Sequence, residues 1–340
     1  MHKPDVLFVL SIDTEEEWQW EGDFPTDNCS IKNIERLPEF HSFCRKLGIK
    51  PTYFVDYPVV NSTSGQTILS SFIKNNEAEI GAHLHPWCNP PYFEKTTEAS
   101  SHVVNLPKEQ VEQKLLTLTR LIQDKIGFSP VSFRSGRWGI DGSTLQLLTD
   151  LGYTVDSSVY PFFDNEFFDC EGSPLTPYWP DTENPLNVGT QRNIMELPVT
   201  AGFNRKHFTL AHSIHKKLSK APFSWFRAIG ILWHTTLLRK IYLSPELFDS
   251  ANMNSLINVS LRRGHPIIHM YLHSSSLIDG ATGLLNVNDA FERICTRIES
   301  SVRYLSRHAN VQFCSITEAA NILQQTAATN PVLRWETATS

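Results

Sequence analysis

The stretch V-L-F-V-L-S-I-D-T-E, residues 6 to 15, decides how the chain is read. Residues 6–12 are apolar except for Ser11, as in a strand covered on both faces, and the run ends on two carboxylates, Asp13 and Glu15. Strands buried on both faces belong to parallel sheets, and the C-terminal ends of such strands are where an α/β protein carries its chemistry. Outward from this strand the same rhythm repeats. A helix is expected over 34–47, then strands over 52–57 and 79–85. Val111, Leu115, Leu118 and Ile122 fall at helical spacing and Gly127 stops that helix. A strand over 131–134 follows. Next comes a helix with Ser143 as its N-cap, Leu145, Leu148 and Leu151 on its apolar face, and Gly152 at its end. Further strands are expected over 153–156, 194–199 and 266–272. A long helix capped by Asn288 carries Phe291, Ile294, Ile298, Val302 and Leu305, and a last strand covers 311–315.

Strand–helix alternation implies parallel β with right-handed crossovers. Seven or eight strands in a chain of 340 residues predict an α/β fold, a distorted (β/α) barrel of about seven parallel strands. The barrel is expected to span 1–325, with 326–340 as a flexible tail.

Composition excludes other classes. Hydrophobic residues make up 41% and charged residues 19%, which rules out a disordered chain. A net charge of −6 argues against nucleic acid as a partner. Six cysteines (29, 44, 88, 170, 295 and 314) form no C-x-x-C pair, so reduced, mostly buried thiols in a cytoplasmic protein are expected. The N-terminal apolar run is too short for a signal peptide, and no run of 18 apolar residues is present. G-x-S-x-G, G-x-x-x-x-G-K-[ST] and G-x-G-x-x-G are all missing.

One segment departs from the rhythm. Residues 205–240 hold eight of the 30 basic residues and none of the 36 acidic ones, together with Phe208, Phe223, Trp225, Phe226 and Trp233. A helical basic insert over 203–245 on the barrel rim is expected. It is either a packed lid with a solvated basic face or a surface for anionic lipid, at the inner membrane face, or for an anionic substrate.

Polar groups gather where the strands end. Asp13 would face the barrel mouth, while Glu16 and Glu17 read as a charged loop. In E-I-G-A-H-L-H-P-W (79–87), His83 and His85 are two apart on a strand and point the same way. With Glu15 they form a two-histidine, one-carboxylate set able to hold a divalent metal, with positions left for water and substrate. In F-R-S-G-R-W-G (133–139), Arg134 can pair with Asp13 and hold it ionised. In H-M-Y-L-H-S (269–274), His273 comes last on its strand and can donate a proton to a leaving nitrogen or oxygen, while His269 reads as a satisfied core histidine. Asp156, in Y-T-V-D-S-S, either tunes His273 or caps a local turn.

The order I-D-T-E (12–15), E-I-G-A-H (79–83), F-R-S-G (133–136), Y-T-V-D-S-S (153–158), H-M-Y-L-H-S (269–274) resembles the NodB-homology polysaccharide deacetylases, carbohydrate esterase family 4. The resemblance implies a distorted barrel that removes acetyl groups from N-acetylated sugars. It implies Asp13 as catalytic base, Arg134 as its positioning partner, His273 as general acid and Asp156 as the carboxylate supporting it. It also implies Glu15 and His83 as ligands of a divalent ion, zinc first and cobalt second. In the hydrolysis this predicts, the metal and a backbone N–H near Gly136–Arg137 would hold the oxyanion. One position departs: four residues after His83, where the family has its second metal histidine, stands Trp87, and His85 is the nearby imidazole. Two alternatives stay open: a metal-independent hydrolase of a small amide or ureide, and a non-catalytic carbohydrate-binding relative.

Overall fold

A computed structural model describes residues 3–18, 22–221, 227–281, 283–285 and 287–329. In chain order the strands and helices are β1 (Asp5–Thr14), α1 (Leu37–Lys46), β2 (Thr52–Val55), α2 (Tyr57–Asn61), α3 (Thr63–Ile73), β3 (Glu79–Leu84), α4 (Lys108–Ile126), β4 (Ser132–Ser135), α5 (Gly142–Asp150), β5 (Val155–Asp156) and β6 (Met195–Glu196). There follow β7 (Ala201–Phe203), α6 (Phe208–Leu218), α7 (Ala228–His234), β8 (Lys240–Tyr242), α8 (Ser250–Arg262), β9 (Ile267–His273), α9 (Ala290–His308), β10 (Asn310–Phe313) and α10 (Ile316–Thr329).

The long apolar run becomes the central strand. β1 pairs with β9 along one edge. Along its other edge it pairs first with β10, through Asp5 to Phe8, and then with β2, through Ser11 to Thr14. β3, β4, β5 and β6 continue from β2, and every pairing in this eight-stranded sheet is parallel. Past β6 the chain crosses to β9, where Thr200 N–H donates to His269 O at 3.0 Å. The result is a distorted (β/α) barrel.

Alternation along β1 sorts its side chains. Val6, Phe8, Leu10 and Ile12 pack outward with the helices. Leu7 and Val9 point the other way and pack with Phe54, Val155, Met195, Leu197 and Ile267. α10 closes that inner cluster with Ile316, Ala319, Ala320 and Leu323. The inner column of β1 thus runs from an apolar floor through Ser11 to Asp13 at the mouth.

Several boundaries differ from the sequence reading. The N-cap of α5 is Asp141, whose carboxylate accepts from Thr144 N–H, and not Ser143. α9 starts after Asp289, and its first N–H is met by Asp279 at 2.9 Å, not by Asn288. The start of the expected tail, 326–329, belongs to α10; the remainder of that tail lies outside the described residues. Gly127, at φ +100°, ends α4 as expected. The six cysteines are free thiols. The basic excursion stands on an antiparallel pair of feet, β7 and β8, and carries α6 and α7; Phe223, Trp225 and Phe226 lie outside the described residues. Among the described residues no helix is long and apolar enough to cross a membrane.

Candidate active site

The inward faces of β1, β3, β4 and β9 deliver one polar cluster. On β1 the inward positions are Ser11 and Asp13; on β9 they are His269, Tyr271 and His273, and Asp13 lies in register with His273. β3 supplies His83, beside Arg134 of β4. All of these side chains are buried.

One side of the cluster consists of two ion pairs. Arg134 Nη1 donates to Asp13 Oδ1 at 2.5 Å. Its Nη2 donates to the hydroxyls of Ser11 (2.8 Å) and Ser157 (2.9 Å), and its Nε to Ser157 O (3.0 Å). The guanidinium is sandwiched by the Phe54 and Trp138 rings. Four hydrogen bonds and two ring faces leave Arg134 one orientation, and with it Asp13. His273 Nδ1 meets Glu246 Oε1 at 2.7 Å, and its backbone N–H donates to Glu246 Oε2 at 3.2 Å. Its Nε2 stands 3.8 Å from Asp13 Oδ2. Burial alone would lower the His273 pKa, but the charges of Glu246, Glu15 and Asp13 outweigh it and raise it to about 10. His273 is therefore an imidazolium at neutral pH, the form a proton donor needs. His269 is held neutral by burial and by Arg134, and bonds Ser11 and Pro198 O as a core histidine should.

The other side converges on one oxygen. His83 Nε2 lies 3.2 Å and His85 Nε2 3.3 Å from Glu15 Oε2. Each imidazole is fixed from behind. His83 Nδ1 faces Arg134 O at 3.1 Å, and His85 Nδ1 faces Glu16 Oε2 at 2.9 Å. With Nδ1 donating, each Nε2 lone pair points toward Glu15, so the three residues fit a divalent cation. Burial opposes ionised Glu15, yet His273, His83 and His85 hold its carboxyl well below the usual carboxylate range. Behind His85, Glu16 Oε1 accepts from Trp87 Nε1 at 2.7 Å, and the Glu16 N–H donates to Asp56 at 2.8 Å. Burial and the adjacent Glu16 push Asp56 well up, so it is the protonated partner and Glu16 the ionised one. Gly136 is required here: a Cβ on it would lie 2.0 Å from His85 Cδ2 and 2.4 Å from Leu84 O.

Asp13, Arg134, His273, Glu15, His83 and His85 thus come together around one mouth. Asp156 does not join them. Its carboxyl is bonded by Ser158 at 2.6 Å and lies in register with Glu196 on the adjacent strand, where burial raises both acids. The carboxylate behind His273 is Glu246, which follows β8 in S-P-E and belongs to no strand-end motif. Glu16, read as a charged loop, is fully buried behind His85; the H-x-H two strands away was the only hint that a second carboxylate would be needed. Glu17 bonds Ser30 and Asn33. Of the two expected oxyanion donors, Gly136 N–H is committed to Leu84 O at 3.0 Å, whereas Arg137 N–H has no partner among the described residues.

No family model matches the chain, and no curated protein matches its sequence. Among solved structures it is similar to a protein from Mycobacterium smegmatis assigned as a polysaccharide deacetylase, at 13% identity over 96% of this chain and 92% of that one, TM-score 0.56. It is also similar to one from Parabacteroides distasonis assigned as a glycoside hydrolase/deacetylase, at 12% identity over 96% and 72%, TM-score 0.61. A third, from Pseudomonas aeruginosa PAO1 and assigned as a polysaccharide deacetylase, shares 14% identity over 96% and 92%, TM-score 0.50. At these identities the likeness is one of fold: the chain has the barrel of the NodB-type polysaccharide deacetylases.

Proposed function

We propose that the protein is a hydrolase that removes an acetyl group from an N-acetylated sugar of a polysaccharide or lipid-linked glycan. The observation that carries this reading is the facing arrangement of two committed pairs, Asp13–Arg134 and His273–Glu246, beside the Glu15–His83–His85 set. A divalent ion held by Glu15, His83 and His85, zinc or cobalt, would supply a Lewis acid for the acyl carbonyl and an acidified water. Asp13, aimed by Arg134, accepts the proton of the attacking water. Arg137 N–H is available to the carbonyl oxygen as that oxygen gains charge. His273 delivers its proton to the leaving nitrogen, and Glu246 compensates the imidazolium until it does so. The products are acetate and a free amine. The cytoplasmic setting expected from the cysteines belongs to the same proposal.

One observation favours a second reading. His85 Nε2 also lies 3.1 Å from Gly136 O, and the charges of Glu16 and Glu15 overcome burial and raise His85 well above its ordinary pKa. An imidazolium with acceptors at both nitrogens suits a metal-free hydrolase of a small amide or ureide. Elemental analysis of the purified protein, paired with acetate release from N-acetylated glycans with and without chelator, separates the two. About one ion per chain and chelator-sensitive acetate support the deacetylase. No ion, and no acetate after zinc or cobalt is added, overturns it.

A further inference from the structure

The excursion between β7 and β8 presents two kinds of side chain outward. α6 packs inward through Phe208 and Ala211, while Leu210 and Ile214, one helical turn apart, face solvent at 60% and 42% exposure. Ile231 of α7 (57%) and Leu237 (55%) are exposed on the same excursion, and the Arg205 guanidinium donates to Leu237 O and Thr236 O. These four are half of the large hydrophobic side chains exposed among the described residues.

Cations share the same segment. Lys216 is tied to Glu171, and Lys240 to Phe162 O. Arg239 folds onto Trp233 and bonds Asn252. Lys206, Lys217, Lys220 and Arg227, by contrast, have no ion-pair partner among the described residues, and no acidic residue occurs from 205 to 240. Lys217 lies on the Leu210–Ile214 face of α6. Exposed aliphatic side chains and cations without ion-pair partners on one excursion, in a chain whose net charge is −6, complement an anionic apolar boundary.

The feet of the excursion tie it to the site. Tyr242 of β8 stacks on Tyr160 at 4.1 Å, and the Tyr160 hydroxyl bonds Tyr271, two residues before His273. Glu246 follows four residues after Tyr242. The basic excursion therefore rises from the wall that carries the proton donor.

We propose that residues 205–221 and 227–240 form a docking surface for an anionic lipid bilayer, inserting Leu210, Ile214, Ile231 and Leu237 while Lys206, Lys217, Lys220 and Arg227 meet the headgroups. The proposal does not depend on which bond the barrel hydrolyses. It is tested by sedimentation of the full chain with vesicles of phosphatidylcholine alone or with about one-third phosphatidylglycerol, at low and high salt. Binding is expected only to the phosphatidylglycerol vesicles and is expected to weaken with salt. The K217Q/K220Q double variant should weaken it roughly 30-fold, and L210S/I214S should also release the protein, both with unchanged melting temperature. No binding at low salt overturns the proposal, as does equal binding to both vesicle types. Self-association that L210S/I214S abolishes, without vesicle binding, would make the face a contact between copies and overturn it too. Acetate release from a soluble substrate, measured alongside, stays at the parent level in both variants if the barrel is a deacetylase. Its absence in the parent would strike the proposed chemistry and leave the vesicle result standing.

Discussion

The two halves of the pocket are held in different ways. In the acid–base half each working group has one committed counter-charge reached from another part of the barrel, Arg134 for Asp13 and Glu246 for His273. In the metal half the charges are shared through a layered network. Glu15 faces two imidazoles, His85 leans on Glu16, and Glu16 is held by Trp87 and Asp56. Groups that move protons need a fixed protonation state, which a dedicated partner provides. Groups that offer lone pairs need a fixed direction, which hydrogen bonds from behind provide. Trp87 illustrates the second case. At the place of a second metal histidine the chain carries an N–H donor that orients the carboxylate behind a different histidine.

The sharpest way to break this contrast is Asp13→Asn. It should lower kcat/KM by about 10³-fold while leaving metal content at the parent level. Residual turnover near that of the parent would remove Asp13 from the role of base. Glu246→Gln should lower kcat by roughly 10- to 100-fold and move the basic limb of the pH profile downward, since it removes the charge that raises His273. The same substitution has a stability signature. His273, raised from 6.5 to about 10, contributes stability that is fully present below pH 6.5 and is lost as pH rises through about 10. The deficit of Glu246→Gln in denaturant melts should therefore be largest at and below neutral pH and shrink toward pH 10. An unmoved basic limb would count against the pair.

Smaller effects sharpen the other half. Trp87→Phe keeps the ring packing against Trp18 and Phe24 but strips Glu16 of a donor. It should weaken metal binding about tenfold in chelator competition and leave the pH limbs where they are. A shift in the limbs with unchanged affinity would reverse the assignment of halves. Smallest of all, Asp156→Asn should change kcat/KM by no more than about twofold, because Asp156 works within its pair with Glu196. A large loss with a displaced basic limb would restore Asp156 as a partner of His273.

Much of the fold was legible because period and punctuation are local properties. The unbroken apolar run of β1, the Val111–Ile122 stripe ended by Gly127, and the alternation on β9 each declare their element without reference to the rest. The inward column was legible for the same reason: side chains two apart share a strand face, so Asp13 and His273 were expected at the mouth, and His83 beside them. α10 was missed although Ile316, Ala319, Ala320 and Leu323 fall at helical spacing, since the polar residues after Gln325 suggested an end. Its place under the barrel depends on the inner cluster it closes. Glu16 was misread because a run of three glutamates looks solvated until His85 and Trp87 are brought against one of them.

By itself, then, the sequence determined which residue types stand at the ends of which strands, and thereby the barrel and most of the polar groups at its mouth. It also set Arg134 opposite Asp13; only the tertiary structure decided the partners of His273, His85 and Asp156. Glu246 lies 27 positions from His273 and Asp156 lies 117 away, yet no local pattern ranks one above the other. What selects Glu246 is the path of the chain from β8 back to the wall of β9, while Asp156 is set beside Glu196 by the strand next to it. Pairing of buried charges is settled by distance in space and by the cost of leaving a charge uncompensated, and neither can be read along the chain.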